Sequence, residues 1–234
     1  MMAIKGAWIL TVVLSTTAGA VDVIGFLGLG GLFTAHITGN LVVLAAHYVT
    51  GAFSQMGPLL SVPVFVAVLG IVTVLFTNKP IRGARRTLLI LQAGLLTGFL
   101  VIAATLGPFT NPDTAAAVFV GMLGVAAMAT QNALVKLGLP GFPSTAVMTT
   151  NTTQLAVDLA LLVRGKGKPE DITRARRRAR ITFPSVAGFV AGCAAGGFLE
   201  FHFGLRALVL PVALAVIAIP LGKLLNEDSL SVSA

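Results

Sequence analysis

The chain has 234 residues, 56% of them hydrophobic and only 10% charged, with a mean hydropathy of +0.95. Soluble domains run near ~25% charged, and a fold of this length has too little interior to hide so much apolar surface, so composition excludes a soluble domain and makes lipid the solvent. The net charge of +8 sits in short Lys/Arg runs between apolar segments with no interleaved aromatic residues, which argues against nucleic-acid binding and fits cytoplasmic loops.

In chain order, apolar segments fall at residues 7–33, 34–52, 59–77, 87–108, 113–138, 145–163, 181–203 and 205–223. A helical span needs roughly 20 apolar residues, and most of these segments qualify. The expected fold is all-α, a polytopic membrane bundle. The first segment follows a single Lys5 and is too long for a cleaved signal peptide, so it is read as a retained helix. Two long stretches are interrupted. Residues 7–52 are broken by Gly28, Gly30 and Gly31, and residues 113–163 by Pro140, Gly141 and Pro143.

The two breaks resemble each other. Thr34-Ala35 and Thr38-x-Asn40 after the first are matched by Thr145-Ala146 and Thr149-x-Asn151 after the second, at one constant spacing. The same spacing sets His47 opposite Asp158, and Ser61-Val-Pro-Val-Phe-Val-Ala67 resembles Ser185-Val-Ala-Gly-Phe-Val-Ala191. The expectation is an internal duplication, residues 1–110 and 111–234, within one membrane domain.

Basic loops then orient the chain. Residues 78–86 carry Lys79, Arg82, Arg85 and Arg86, and residues 164–180 carry eight Lys or Arg, so both are expected in the cytoplasm. Three full spans between them would put them on opposite sides. The conflict disappears if each broken pair is one net crossing with a re-entrant or discontinuous part. That gives about six net crossings, both termini cytoplasmic, and two inverted repeats. Eight full spans in parallel repeats is the alternative. Residues 50–58 and 107–113 should face outward.

A broken helix frees backbone N–H and C=O groups inside the bilayer, where a polar solute or ion can satisfy them. Thr34, His36, Thr38 and Asn40 lie at the first break, and Ser144, Thr145, Thr149 and Asn151 at the second. Two half-helices meeting at a pseudo-twofold axis would make one polar site. Asp22 stands alone in an apolar run and costs roughly 2.5–3.5 kcal/mol to insert, so it should face the interior or a cavity. Its counterpart lies near Gln131 or Asn132. The candidate substrate- or ion-binding residues are Asp22, His36, Thr38, Asn40, Asn132, Thr149 and Asn151. Capping and helix–helix glue are the competing roles for the small polar residues. His47 and Asp158 could pair across the axis. Gly188, Gly192 and Gly196 form a small-residue stripe for close packing within the chain or in a homodimer.

No catalytic residues, cofactor or metal site are expected. HExxH, GxSxG and phosphate-binding loop patterns are absent, the three histidines are scattered, and Cys193 is the single cysteine.

The combination Ala18-Gly-Ala-Val-Asp22-x-x-Gly25-Phe-Leu27, Gly30-Gly-Leu-Phe-Thr-Ala-His-Ile-Thr-Gly-Asn40, Gln131-Asn132 and Met148-Thr-Thr-Asn151 resembles the YoaK family of bacterial membrane proteins, a family of unknown function. The resemblance implies a polytopic protein of the bacterial plasma (inner) membrane with about six helices, and no substrate. The residues themselves suggest a small secondary transporter or channel-like carrier of a small polar or anionic solute. A non-transporting scaffold or sensor, or an intramembrane enzyme, are the rival readings.

Overall fold

The computed structural model describes residues 2–51, 56–165 and 167–225. Residues 52–55 of the first expected outward loop, Lys166 of the second basic loop and the C-terminal tail lie outside the described residues. The fold is an all-α polytopic bundle: α1 (Met2–Gly28), α2 (Ile37–Thr50), α3 (Met56–Phe76), α4 (Ile81–Leu106), α5 (Ala115–Gly138), α6 (Met148–Arg164), α7 (Pro169–Phe203) and α8 (Val209–Lys223), with a 3-10 turn over Gly204–Leu208 before α8.

Helix length decides which elements can cross. At 1.5 Å per residue, the 14 residues of α2 reach about 21 Å and the 17 of α6 about 26 Å, short of a ~30 Å hydrocarbon core. α1, α3, α4 and α5 are long and apolar enough to span, as is the stretch Pro169–Lys223 holding α7 and α8.

The helix ends gather at two poles. At the first, Gly28 closing α1, Ala103 and Gly107 closing α4, and Phe203 and Gly204 closing α7 line one pocket. The Met56 N–H opening α3 donates to Asp113 Oδ1, just before α5, at 3.0 Å. At the second pole, Arg85 in the first turns of α4 reaches the end of α5 at Gly138 and the end of α8 at Gly222 and Leu225. Leu225 also lies against Gly6 near the start of α1. The long helices therefore alternate in direction. α2 joins an end of α1 to a start of α3 at the first pole, and α6 joins α5 to α7 at the second, so neither short helix crosses.

The packing of the first four helices is matched by that of the last four. α1 packs on α7 and α8 as α5 packs on α3 and α4, α2 lies on α3 as α6 lies on α7, and α4 meets α8. The halves thus interlock and share one interior. The glycine stripe is spent inside this interior. A Cβ on Gly192 would sit 2.2 Å from the Thr16 carbonyl oxygen, and one on Gly19 would sit 2.2 Å from that of Phe189. Only glycine lets the α1 and α7 backbones approach so closely. The stripe is therefore not free to form a homodimer.

Two expectations about charge change. The basic stretch 164–180 is not a loop after Pro169, because α7 begins there and runs 35 residues, about 52 Å. That is longer than a ~30 Å apolar layer needs, and Arg174, Arg176, Arg177 and Arg180 in its first turns are exposed. Arg85, read as a loop charge, is 1% exposed. Its Nε donates to Gly222 O at 3.0 Å, Nη1 to Gly138 O at 3.3 Å and Nη2 to Leu225 O at 2.6 Å. The planar guanidinium satisfies the carbonyls left over where two helices end, at the negative ends of their dipoles.

Candidate functional site

The first break begins where α1 loses its helical bonding after Gly28. Gly30 and Gly31 take φ of 63° and 88°, left-handed values that suit glycine. The chain turns back beside α1, and Asp22, 3% exposed, is placed to receive it. Its Oδ1 accepts the Ala35 N–H at 2.7 Å and the Thr34 hydroxyl at 3.4 Å. Its Oδ2 pairs with His36 Nδ1. The buried carboxylate is thus compensated by a backbone donor, a hydroxyl and an imidazole, as burial of a charge requires.

Asn40, fully buried, latches the same segment from α2. Its Oδ1 accepts the Phe33 N–H at 2.8 Å, and its Nδ2 donates to Phe33 O at 2.7 Å and to Ser61 Oγ on α3 at 2.8 Å. An amide has the donor and acceptor that one exposed backbone residue needs, which aspartate lacks. Ser61 was visible in the sequence only as part of the repeat; its contact with Asn40 is new.

The second break is built on the same plan with neutral groups. Gln131 Nε2 donates to Thr145 Oγ1 at 2.8 Å and to Leu14 O on α1 at 2.9 Å, and its Oε1 accepts from Gln92 Nε2 at 2.6 Å. Asn151 Nδ2 donates to Ser144 O at 2.6 Å, as Asn40 does to Phe33 O. Ser185 on α7 donates to the same Ser144 carbonyl at 3.4 Å and bonds Ser15 at 2.8 Å. Gln131, rather than its neighbour Asn132, therefore takes the place of Asp22. Asn132 points its amide back to Met128 O at 2.8 Å.

Of the expected residues, Asp22, His36 and Asn40 come together at the first break, and Asn151 at the second. Thr38 and Thr149 are exposed on the first turns of α2 and α6, outside these networks. No side chain caps either helix. The breaks do not merge into one polar site. Leu14, bonded to the second, lies eight residues before Asp22, about 12 Å along α1. His47 and Asp158, which the repeat allowed to pair, do not meet: α2 packs on α3, not on α6, and Asp158, fully buried, binds Arg178 Nη2 at 2.5 Å and Gln154 at 3.1 Å.

The first break opens onto a pocket. Asp22, Val23, Phe26, Phe33, His36, Gly39, Phe189 and Cys193 line a space of about 420 Å³. Three aromatic rings frame the imidazole. Phe26 and Phe33 stand 4.6 Å apart between centroids, and His36 meets Phe33 at 5.8 Å and Phe189 at 5.5 Å, both edge to face. The His36 side chain is 35% exposed, so the dyad is reachable. Phe189 was missed from sequence, since only tertiary packing brings α7 here. No group of three His, Cys, Asp or Glu among the described residues could hold a metal ion.

Comparison with known proteins agrees with this architecture. The family model described as "Protein of unknown function (DUF1275)" matches residues 10–221. The UPF0700 transmembrane protein YoaK of Bacillus subtilis (strain 168) is 29% identical over 154 residues, 63% of this chain, and the match spans 64% of that protein's length. No solved structure matches the chain. A match over nearly the whole helical bundle, both breaks included, makes this chain a member of the DUF1275 family, a YoaK-like multi-pass membrane protein.

Proposed function

We propose that the protein is a small secondary transporter or channel-like carrier of the bacterial plasma membrane, with both termini in the cytoplasm. The observation that carries this reading is the Asp22–His36 dyad. An ionisable pair is held inside the membrane layer at a helix break, and it opens onto a pocket of about 420 Å³. Intramembrane carboxylates are costly, and their commonest use is on a solute or proton path.

The arrangement of the halves supports the same reading. Three long helices in each half, running in alternating directions, support reading the second half as the inverted counterpart of the first. One re-entrant break then faces each side of the membrane. Such pairs suit alternating access, in which one half rocks against the other. The basic residues of 78–86 and 164–180 share the second pole, which makes it the cytoplasmic one.

The test uses protein reconstituted in liposomes loaded with a pH-sensitive dye, challenged with a panel of small solutes. A solute-evoked change of internal pH is expected, and Asp22→Asn should abolish it while leaving the protein folded. An Asp22→Asn response equal to wild type would sink the coupling role. One observation favours a scaffold or sensor instead: Asn40, Gln131 and Asn151 all spend polar groups on the protein itself. A folded protein that responds to no solute in the panel would support that reading.

A further inference from the structure

We infer that the solute taken at the Asp22–His36 pocket is an apolar organic cation, an ammonium group carrying an aromatic or branched apolar body, exchanged for one proton of the dyad. This rests on the carrier reading above and narrows it away from a polar or anionic solute.

The lining decides the class. Five of the eight lining residues are Val23, Phe26, Phe33, Phe189 and Gly39, which offer no hydrogen bond from a side chain. A sugar or amino acid would lose its water there and gain little. The ionisable groups at the pocket are Asp22 from α1, His36 from the break and Cys193 from α7, with no Lys or Arg. Of the other packed elements, α2 sets His47 against Gly31, outside the lining, α3 brings Ser61 to Asn40, and α5 brings Gly124 to Thr34. Glu200 and Arg206 line the separate pocket at the first pole. An anion would therefore meet a carboxylate and no fixed cation. A cation meets the carboxylate and the faces of phenyl rings, the surroundings that recognise quaternary ammonium groups.

The proton balance follows from the geometry. In the proposed cycle, the site without solute holds His36 as an imidazolium, its Nδ1 set against Asp22 Oδ2, so that the pair is neutral overall. When the organic cation enters, the imidazole gives one proton to water and turns neutral. The Asp22 carboxylate then faces the bound cation in place of the imidazolium. The site's net charge is unchanged, so either ion can cross the low-dielectric layer but neither crosses without compensation. Asp22 keeps the Ala35 N–H throughout, which holds the break in place.

The experiment is calorimetric titration of the purified full chain in detergent with benzyltrimethylammonium, repeated in two buffers of different ionisation enthalpy to count protons. Benzylsulfonate serves as the probe of matched shape and opposite charge. Binding of the cation with release of close to one proton is expected, with no binding of the sulfonate. Asp22→Asn should remove the proton release and weaken binding at least tenfold. Phe189→Leu keeps the bulk and leaves the Asp22 contacts untouched; it should weaken binding about tenfold with proton release intact. Tighter binding of the sulfonate, no binding of either probe, or cation affinity unchanged in Phe189→Leu would each overturn the proposal. If the cation fails while some other solute drives an Asp22-dependent pH change in liposomes, the solute class falls and the carrier reading stands.

Discussion

A side-chain amide buried in a membrane bundle must find its partners within the protein, and Gln131 finds three. It bonds Leu14 O, Thr145 and Gln92, and so ties α1, α4 and the second break together. Its donation to Leu14 O fixes which way the amide faces, and that in turn fixes Gln92. Gln92 Oε1 is left buried with no hydrogen-bond partner among the described residues. The two glutamines should therefore differ sharply. Gln131→Met strips three partners and is expected to cost about 1–3 kcal/mol more than Gln92→Met, which loses one bond and removes an unsatisfied oxygen. Thermal unfolding of both variants in the same detergent checks this; equal melting temperatures would refute the assignment. Asp22, Asn40 and Asn151 were legible in the sequence because polar residues in apolar runs are costly and must be explained. Gln131 against Asn132 was not. Neighbours on a helix point about 100° apart, and nothing in the sequence says which direction faces the break. Arg85 was misread for a related reason, since positive charge near a loop looks the same whether it meets water or carbonyls.

At the scale of the helix, the α1–α7 contact brings two backbones closest among the described residues. Gly188, Gly192 and Gly196 ride along Val12, Thr16 and Ala20 in parallel register. Gly192→Ala places a methyl group against backbone, which cannot yield as a flexible side chain can, and the helices must separate. That change should lower the melting temperature strongly. Gly94→Ala on α4, where a Cβ meets nothing within 4 Å, should leave it unchanged or raise it slightly. A neutral Gly192→Ala would mean that the helices do not pack this way. The α6–α7 contact depends on charge instead. Asp158 is fully buried and held by Arg178, whose side chain is 41% exposed. Arg178→Ala leaves a buried carboxylate without its cation, so it should destabilise more than Asp158→Asn, which removes the charge itself. Most segment ends were readable from hydropathy to within about six residues. The start of α7 was not, because hydropathy follows lipid and the helix continues past it.

For the whole molecule, the decisive property is direction. A three-span half must invert on duplication, whereas a four-span half repeats in the same sense, and the two short helices decide between them. α2 and α6 are too short to cross, and each returns to the pole it left. Sequence alone argued for six crossings by a different route, from basic loops that had to share one side. It could not place the breaks, because depth depends on where Asp22 and Gln131 catch the returning chain. The consequence is measurable by labelling single cysteines in intact cells, in a Cys193→Ala background. Gly83 is exposed and a Cβ there meets nothing, Asp171 is exposed on the first turn of α7, and Thr110 is exposed at the other pole. A membrane-impermeant maleimide should label Thr110→Cys alone, while a permeant reagent should label all three. Gly83→Cys and Asp171→Cys reacting from opposite sides would give each half an even number of spans. The halves would then be parallel, alternating access between inverted partners would lose its basis, and the dyad would stand in a membrane scaffold.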